Sequence, residues 1–473
     1  MSTFAGIEVG SRALAASQRA LDTVGHNTAN VNTPGYSRQV VNLQATDPYT
    51  VPGYGAPRLG QIGTGVTVSS ITRIRDQFID NRVRTSLSNG GAASQTATLL
   101  KRVEQAFTEP GDTGIGSQMT KFFNSFSDLA SHPESSATRA TVTNAGQNVA
   151  ASFRTVDAAL KQINPEINTA IGLKVDDINS LATQLASLNM QISQAIGAGE
   201  RPNDLQDRQG ALLDTLSQLV DIKTVADINS TTGQPTGEIS VSVGGYGIVQ
   251  GSATLTLPKT PLKDGKGTAL ITETGAIIAL KGGELTGLVE ASQLVDTYAT
   301  QLNDLATQFV SNVNSRHKDG VDLTGTPGID FFTGTDAGSI KVSTLIANNS
   351  NLIAASSKPL VGNPFAPGNG DNARALSQLS YTKQPNNYTL NEYYNTNVSR
   401  IGADSKSFQD RASNTGGVVA QLQSQQSSVS GVSLDEELTR MLQFQKSYQA
   451  SAKIVNVMDG ILDTLINGLG VGR

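Results

Sequence analysis

Residues 431–466, GVSLDEELTRMLQFQKSYQASAKIVNVMDGILDTLI, carry the apolar pattern that decides the fold of this chain. Ser433 can cap a helix, and Glu436 three residues later completes a capping box. Two apolar stripes then follow the predicted helix. The first consists of Leu434, Leu438, Met441, Tyr448, Ala452, Val455, Leu462 and Ile466, and the second of Phe444, Ile454, Met458, Ile461 and Leu465. A helix with two apolar stripes needs more than one partner helix to cover it.

A second helical pattern spans residues 3–30. Ile7, Leu14 and Leu21 recur every seven residues, and smaller side chains fill the positions between them. Those positions are Gly10, Ser17 and Val24. This heptad seam lets a partner helix approach closely but buries little apolar surface. The N- and C-terminal helices are therefore predicted to pair in a coiled-coil-like manner.

Two arrangements fit these helices. They form a hairpin that closes an ordinary monomer, or many copies pack side by side into a ring or a helical tube. The apolar surface of the C-terminal helix exceeds what one partner covers, which favours the polymer. The predicted polymer interface consists of Ile7, Leu14, Leu21, Val24, Leu434, Leu438, Met441, Phe444, Tyr448, Val455, Met458, Leu462 and Leu465.

A specified turn, NTANVNTPGYSRQ over residues 27–39, ends the first helix. Asn30 and Asn32 tolerate the left-handed conformation that a helix C-cap needs. Pro34 and Gly35 suit the central positions of a type II turn, and Tyr36 offers a large amphipathic anchor. The turn either redirects the chain at a fixed angle or is a helix stop with no special role. The predicted redirecting motif consists of Asn27, Asn30, Asn32, Pro34, Gly35 and Tyr36.

The middle of the chain is predicted to be helical around one β-rich insert. Residues 226–281 alternate like strands and are rich in turn residues, whereas the flanking segments have helical periodicity. The expected fold is mainly α with a β insert, in nested discontinuous domains. Residues 1–50 and 430–473 would form an inner terminal-helix domain, residues 51–225 and 282–429 a helix-rich wall domain, and residues 226–281 a small outer β-rich domain.

Composition excludes several classes of protein. The 473 residues carry a net charge of only −5 and no block of Lys or Arg, which argues against nucleic-acid binding. The absence of cysteine excludes disulfides, thiolate catalysis and Cys-based zinc sites. The start of the chain has no signal-peptide pattern, and no apolar run reaches the ~18 residues of a membrane helix. We expect a cytoplasmic chain, or one exported without a cleaved signal peptide and without membrane insertion.

The sequence contains few of the motifs that common enzyme chemistry requires. The three histidines, His26, His132 and His317, lie far apart in sequence and outside any HExxH motif, and His26 near the helix end is expected to contact the helix dipole. No GxSxG motif occurs. GGYGIVQG at 244–251 fails as a dinucleotide fingerprint because Gln250 stands at the third glycine position. The sequence therefore predicts no catalytic residues, no metal and no cofactor.

Several segments nevertheless resemble one protein family. ALDTVGHNTANVNTPGYSRQ at 20–39 is similar to the N-terminal motif of the bacterial flagellar rod, hook and hook-associated axial proteins. GTGVTVSSITRIRDQFIDNRVR at 63–84, KGGELTGLVEA at 281–291 and the quoted stretch at 431–466 resemble its hook-associated members. The resemblance is specific at both ends and loose over 226–281 and 318–395.

The resemblance implies a structural protein of the flagellum. It implies export through the flagellar apparatus and polymerisation at the hook tip, as an adaptor between hook and filament. Its partners would be other copies of itself, the hook protein below, and a second junction protein and the filament above. A cytoplasmic export chaperone would cover the C-terminal helix, and the redirecting turn would lead from an axial helix to the outer wall.

Other functions are open at this point. A hook or distal rod subunit would share both ends of the chain. An extracellular adhesin with a helical stalk is a different class, although it usually carries a signal peptide. An enzyme, such as a glycan hydrolase with a carboxylate pair assembled from distant residues, comes last.

Overall fold

The computed structural model describes residues 3–48, 63–107, 111–261, 269–359, 366–385 and 387–469. It is 65% helical with short strands in small sheets, so the predicted mainly α fold with a β insert is confirmed. The α-helices are α1 (Thr3–Ala29), α2 (Gln77–Ala106), α3 (Ile115–Ser131), α4 (Ser136–Gly197), α5 (Asn203–Leu219), α6 (Glu284–Lys318), α7 (Thr344–Asn348), α8 (Asp371–Gln378), α9 (Leu390–Ser430) and α10 (Leu434–Leu469).

The strands are short and pair antiparallel. They are β1 (Gln39–Ala45), β2 (Val66–Arg73), β3 (Lys223–Ile228), β4 (Pro235–Val243), β5 (Tyr246–Gln250), β6 (Ala253–Thr254), β7 (Thr260–Pro261), β8 (Ala269–Ile271), β9 (Ile277–Ala279), β10 (Gly320–Val321), β11 (Phe332–Thr333), β12 (Lys341–Val342) and β13 (Ser356–Ser357). The sheets have the orders β1-β2, β3-β4-β5-β6, β7-β8-β9, β10-β13 and β11-β12.

The chain divides into two compact units. Unit 1 comprises residues 1–88, 177–257 and 415–473, and unit 2 comprises residues 89–176 and 258–414. These units cut the chain at other places than the expected three-domain division, which stays a prediction. Within the described helices, none is long and apolar enough to cross a membrane.

Unit 1 contains the terminal helix pair and a β-ribbon. Helix α1 packs against α10 and also against strands β1 and β2. The ribbon pairs Gln39 with Arg73 and Ala45 with Val66, with a bulge after Asn42. Arg12 of α1 donates to the backbone oxygen of Thr64 at 3.2 Å. Because α10 and the ribbon both pack on α1, the first helix is more covered than a lone partner helix would leave it.

The four-stranded sheet of unit 1 packs on the end of α4. Gly237 has a φ of +80°, and a Cβ there would lie 2.4 Å from Ile196 Cδ1. Asn189 of α4 donates to the backbone oxygens of Ile239 and Gly251 at 2.9 and 2.7 Å. Position 237 needs a glycine because both the positive φ and the close approach of Ile196 exclude a side chain.

Unit 2 is built around a cluster of phenylalanines. The ring of Phe122 lies 5.2–5.6 Å, centroid to centroid, from five other phenylalanine rings. Those rings are Phe123, Phe126, Phe309, Phe331 and Phe332. All six side chains are at most 2% exposed. Edge-on and tilted aromatic pairs of this kind add to the free energy of burial.

Two buried polar side chains complete the core of unit 2. His317 Nδ1 lies 2.6 Å from the oxygen of Ile329, and His317 Nε2 accepts from the amide of Ala354 at 2.9 Å. Burial lowers the pKa of His317 to about 4, so the ring is neutral with its proton on Nδ1. Arg139 is fully buried and donates to the backbone oxygens of Pro133 and Ile353.

Helix α4 contains a proline in its interior. It is 62 residues long and continues through Pro165. A proline removes one backbone hydrogen bond and disfavours a helix interior. Ile163, Ile167 and Ile171 are nonetheless all buried, so the apolar stripe runs unbroken past the proline and tertiary packing outweighs the local cost.

Candidate functional site

Helices α1 and α10 approach each other closely because α1 has glycines in the seam between them. A Cβ at Gly6 would lie 2.8 Å from Met458 Cε, and one at Gly10 would lie 2.7 Å from Val455 Cγ2. Farther along, the hydroxyls of Ser17 and Ser447 are 3.2 Å apart. Small residues on α1 thus seat large residues of α10. The sequence predicted this role for Gly10 and Ser17 but not for Gly6.

One seam on α10 takes residues from both predicted stripes. Met441, Val455 and Leu462 belong to the first stripe, and Phe444 and Met458 to the second; all five are half-buried. The predicted division into two separate faces is therefore wrong. A heptad repeat with two apolar positions per seven residues brings alternate members of both stripes to one line.

Two apolar flanks remain exposed on α10 beside this seam. In the N-terminal half they are Leu438 and Leu442, which are 50% and 60% exposed. In the C-terminal half they are Ile454, Val457 and Ile461, which are 43–54% exposed. At 100° per residue the two sets lie on opposite sides of the seam. We call them the N-flank and the C-flank.

The predicted interface residues separate by burial. Val24 is buried, and Ile7, Leu14, Leu21, Met441, Phe444, Val455, Met458 and Leu462 are half-buried. Leu434, Leu438, Tyr448 and Leu465 are exposed. The last group is available to another molecule without any rearrangement of unit 1.

The turn after α1 uses glycine, not asparagine, for its left-handed residue. Gly35 has a φ of +78°, and the amide of Tyr36 donates to the oxygen of Thr33 at 3.2 Å, as a type II turn over Pro34 and Gly35 requires. Asn30 and Asn32 do not have a positive φ, so that prediction is wrong. Gly35 adopts the left-handed conformation without a Cβ penalty, which leaves no such demand on the asparagines.

Asn27 clamps the far end of the turn. Its side chain is buried, and its amide group bonds both backbone groups of Gln39: Nδ2 donates to the oxygen and Oδ1 accepts from the amide, each at 2.9 Å. Nδ2 also donates to Glu437 Oε2 at 3.0 Å, and Oδ1 accepts from the Tyr36 hydroxyl at 2.8 Å. The last turn of α1 therefore holds the first residue of β1.

Tyr36 and His26 close the outer side of the turn. Burial, followed by the charges of Asp204, Asp207 and Glu437, raises the pKa of the Tyr36 hydroxyl above its usual value, so this hydroxyl stays protonated and donates to Asn27. His26 Nδ1 lies 3.1 Å from the same hydroxyl, and His26 Nε2 lies 3.6 Å from Asp204. His26 thus has two side-chain partners that the sequence did not predict.

Asp207 of α5 anchors the middle of the turn. Its carboxylate accepts from the amide and the hydroxyl of Ser37, both at 2.8 Å, and from Arg73 at 2.9 Å. It belongs to a charge-balanced cluster of three arginines and three aspartates. The cluster consists of Arg73, Arg75, Arg84, Asp80, Asp207 and Asp214.

The four cluster residues from β2, from α2 and from the segment between them all come from the ITRIRDQFIDNRVR part of the sequence. The sequence pattern gave them no role beyond family likeness. The structure links them to the turn, because Arg75 also donates to Ser37 Oγ at 3.3 Å. The hydrogen bonds and ion pairs of this site therefore hold the 27–39 turn in one conformation. Within the described ranges, no group of three His, Asp or Glu side chains is placed to hold a metal ion.

Known proteins are similar in sequence to this chain along its whole length or nearly so. Flagellar hook-associated protein 1 of Bacillus subtilis (strain 168) is 33% identical over 508 aligned residues, which cover 100% of this chain and 99% of that protein. The chain belongs to the flagellar hook-associated protein 1 family. The member from Escherichia coli (strain K12) is 28% identical, with 96% and 98% of the two chains covered.

Family models agree with this assignment. The model described as the helical domain of flagellar hook-associated protein FlgK matches residues 100–332. The ends match models shared with rod proteins: flagella basal body rod protein at 7–36 and the flagellar basal body rod FlgEFG C-terminal segment at 423–468. The hook-associated protein 1 family thus combines axial-family ends with its own helical domain.

One solved structure has the same fold. The flagellar hook junction protein FlgK from Burkholderia pseudomallei aligns with a TM-score of 0.62 at 18% identity. The alignment covers 74% of this chain and 100% of the Burkholderia pseudomallei chain. The match supports the fold of the hook-associated protein 1 family for this chain.

Proposed function

We propose that this chain is a structural subunit that polymerises at the tip of the flagellar hook and joins hook to filament. The observation that carries the proposal is the pair of exposed apolar flanks on α10, in a chain whose full-length relatives are hook-associated proteins. Its partners would be other copies of itself, the hook protein on one side, and a second junction protein and the filament on the other.

The flanks are the proposed contact between subunits. The α1–α10 seam leaves five large apolar side chains of the two flanks about half exposed. Covering what remains of each contributes roughly 1 kcal/mol, so the sum is large for one helix. Large apolar side chains grouped in this way on one helix indicate a contact with another molecule. A closed hairpin, the alternative arrangement, accounts for the seam but not for the flanks.

The turn at 27–39 would redirect the chain between the helix pair and the rest of the subunit. Its proposed residues are Asn27, Asn30, Asn32, Pro34, Gly35 and Tyr36. The hydrogen bonds of Asn27, Tyr36 and Ser37 support a fixed angle, whereas a simple helix stop needs no anchor 170 residues away at Asp207. Subunits in one lattice need the same angle at this joint.

Export and the absence of catalysis are part of the same proposal. We infer an extracellular location on the flagellum, export without a cleaved signal peptide, and a chaperone that covers the α10 flanks beforehand. A chain without cysteine cannot form wrong disulfides outside the cell. No enzymatic role is proposed.

A hook or distal rod subunit is the second candidate. The rod-family models at 7–36 and 423–468 favour it for the ends of the chain. The hook-associated helical domain over 100–332 supports the junction role instead. Expression in strains that lack the junction protein, the hook protein or the distal rod protein separates the two candidates, because only the cognate strain regains motility.

A matched pair of variants tests the subunit contact. Val457→Asp places a charge on the C-flank, and Asn456→Asp places the same charge on the next residue, on the other side of the seam from the C-flank. Since both positions are exposed, we expect both proteins to fold. Val457→Asp should reduce incorporation into isolated hook–filament structures at least tenfold, because assembly would have to bury the charge, whereas Asn456→Asp should assemble normally.

Equal incorporation of the two variants would contradict the proposed interface. Failure of the wild-type chain in the junction-protein strain would contradict the junction function itself. The two results are independent and can be read from the same strains.

A further inference from the structure

Glu437 is a buried carboxylate at an unexpected place. It lies in the first turn of α10 beside Asp435 and Glu436. Asp435 and Glu436 are exposed, but Glu437 is 0% exposed. Favourable interaction with the helix dipole explains acidic residues in a first turn, and it requires no burial. A buried carboxylate is retained only where partners offset its loss of water, so the neighbours of Glu437 carry its role.

The hydrogen-bond partner of Glu437 lies 410 residues away in sequence. Asn27 Nδ2 donates to Glu437 Oε2 at 3.0 Å. Arg38 Nε is 3.9 Å from Glu437 Oε1, and neither of these two atoms has a hydrogen-bond partner among the described residues. Arg38 instead donates to Glu436 at 2.6 Å. Arg38 thus balances the charge of Glu437 at ion-pair distance, while the side-chain hydrogen bond of Glu437 comes from the amide of Asn27.

That amide has no spare capacity. A primary amide offers two N–H donors and two acceptor positions. Asn27 uses its donors on Gln39 and Glu437 and its acceptor on Gln39 and Tyr36. Rotating the amide to find another partner for Nδ2 would break both bonds to the backbone of Gln39. The orientation that clamps the turn is thus the one that Glu437 favours.

We infer that Glu437 is a positioning residue that couples the docking of α10 to the order of the 27–39 turn. When α10 lies on α1, Glu437 fixes the Asn27 amide, and Asn27 fixes Gln39 and Tyr36. When α10 is away from α1, one donor of Asn27 loses its partner and the clamp weakens. The coupling is reciprocal, so an ordered turn also favours a docked α10.

The inference goes beyond the proposed polymer and does not depend on it. It predicts that the turn has its final geometry only in molecules whose two ends have met. A subunit whose C-terminal helix is held elsewhere would then carry a loosened joint. The simpler alternative is that Glu437 stabilises only its own helix.

Hydrogen exchange at single amides of the full-length soluble protein tests the coupling. The reporters are the amide of Gln39, which donates to Asn27, and the amides of residues 438–441 in α10. Because hydrogen bonds to charged groups are strong, Glu437→Ala should speed exchange at Gln39 by about tenfold or more. Asp435→Ala removes a neighbouring carboxylate from the same turn and should change Gln39 less than about twofold.

A conservative variant separates positioning from a general loss of packing. Glu437→Gln keeps an oxygen that can accept from Asn27, so it should retain most of the protection at Gln39. In the reverse direction, Asn27→Ala should speed exchange over residues 438–441. In the double variant, the effect of Glu437→Ala on α10 should be at least threefold smaller than in the presence of Asn27.

Three results would overturn the inference. The first is equal exchange at Gln39 in Glu437→Ala and Asp435→Ala. The second is additivity of Asn27→Ala and Glu437→Ala over residues 438–441. The third applies if Glu437→Ala releases α10 completely: unchanged protection at Gln39 would then show that the turn does not sense α10.

Discussion

The phenylalanine core of unit 2 and the helix pair of unit 1 solve the problem of burial in opposite ways. In unit 2, the six clustered rings are at most 2% exposed, and both nitrogens of His317 have backbone partners. In unit 1, α1 is covered by α10 and by the ribbon, whereas α10 keeps two apolar flanks exposed. The first region is complete within one chain, and the second leaves surface for another molecule.

The largest effect is expected where burial is complete. Phe122→Ala should destabilise unit 2 by about 3–5 kcal/mol, because it removes a ring packed against five others and leaves a cavity. Hydrogen exchange over α3 measures the change. Tyr381→Ala in the same unit is the control, since its ring is 84% exposed. A small effect of Phe122→Ala would mean that the core is not the closed part of the molecule.

The next effect depends on pH and is specific to unit 2. The pKa of His317 is lowered by burial from about 6.5 to about 4, so the folded state disfavours the proton. The contribution of the neutral ring to stability is therefore full above pH 6.5 and is lost as the pH falls from 6.5 towards 4. This pH-dependent contribution to the free energy of unfolding is about 3 kcal/mol. Stability curves of the wild type and of His317→Gln should diverge over this window, and parallel curves would refute the assignment.

The smallest effect concerns the helix pair. Gly10→Ala puts a Cβ 2.7 Å from Val455 and should destabilise the pairing of α1 with α10 by about 1–3 kcal/mol. Gly25 lies on the same helix with no atom within 4 Å of the added Cβ, so Gly25→Ala should be neutral or slightly stabilising. Exchange over α10 in the two variants measures the contrast. If both variants behave alike, the glycine seam does not set the approach of the helices.

The sequence predicted the helix pair because its information is periodic. Heptads place Gly10 and Ser17 on one seam, and apolar residues in α10 exceed what one partner can cover. The sequence could not assign individual residues such as Met441 and Leu442 to the covered or the exposed side. That choice depends on the register between two helices more than 400 residues apart, which no local pattern contains.

The partners of the polar side chains could not be predicted from the sequence, for a different reason. Three acidic residues, Asp435, Glu436 and Glu437, follow Ser433 in the sequence, and nothing in that pattern shows that only Glu437 is buried. Asp207 and Arg75 likewise have no local signal, because their partners come from other elements. The left-handed residue was predicted at two asparagines as well as at Gly35. Only the glycine, which adopts that conformation without a Cβ penalty, is left-handed.

The seam that brings Ser17 within 3.2 Å of Ser447 joins residues separated by 430 positions, and this separation has a consequence for the order of folding. Helix α10 leaves the ribosome after α1. At about 5–20 residues per second, α1 therefore waits roughly 20–90 s for its partner during synthesis. Joining ends that far apart also carries a loop-closure entropy of about 5 kcal/mol in a flexible chain. Prior folding of the intervening segments shortens the effective loop, so we expect the terminal helices to close last and to open first.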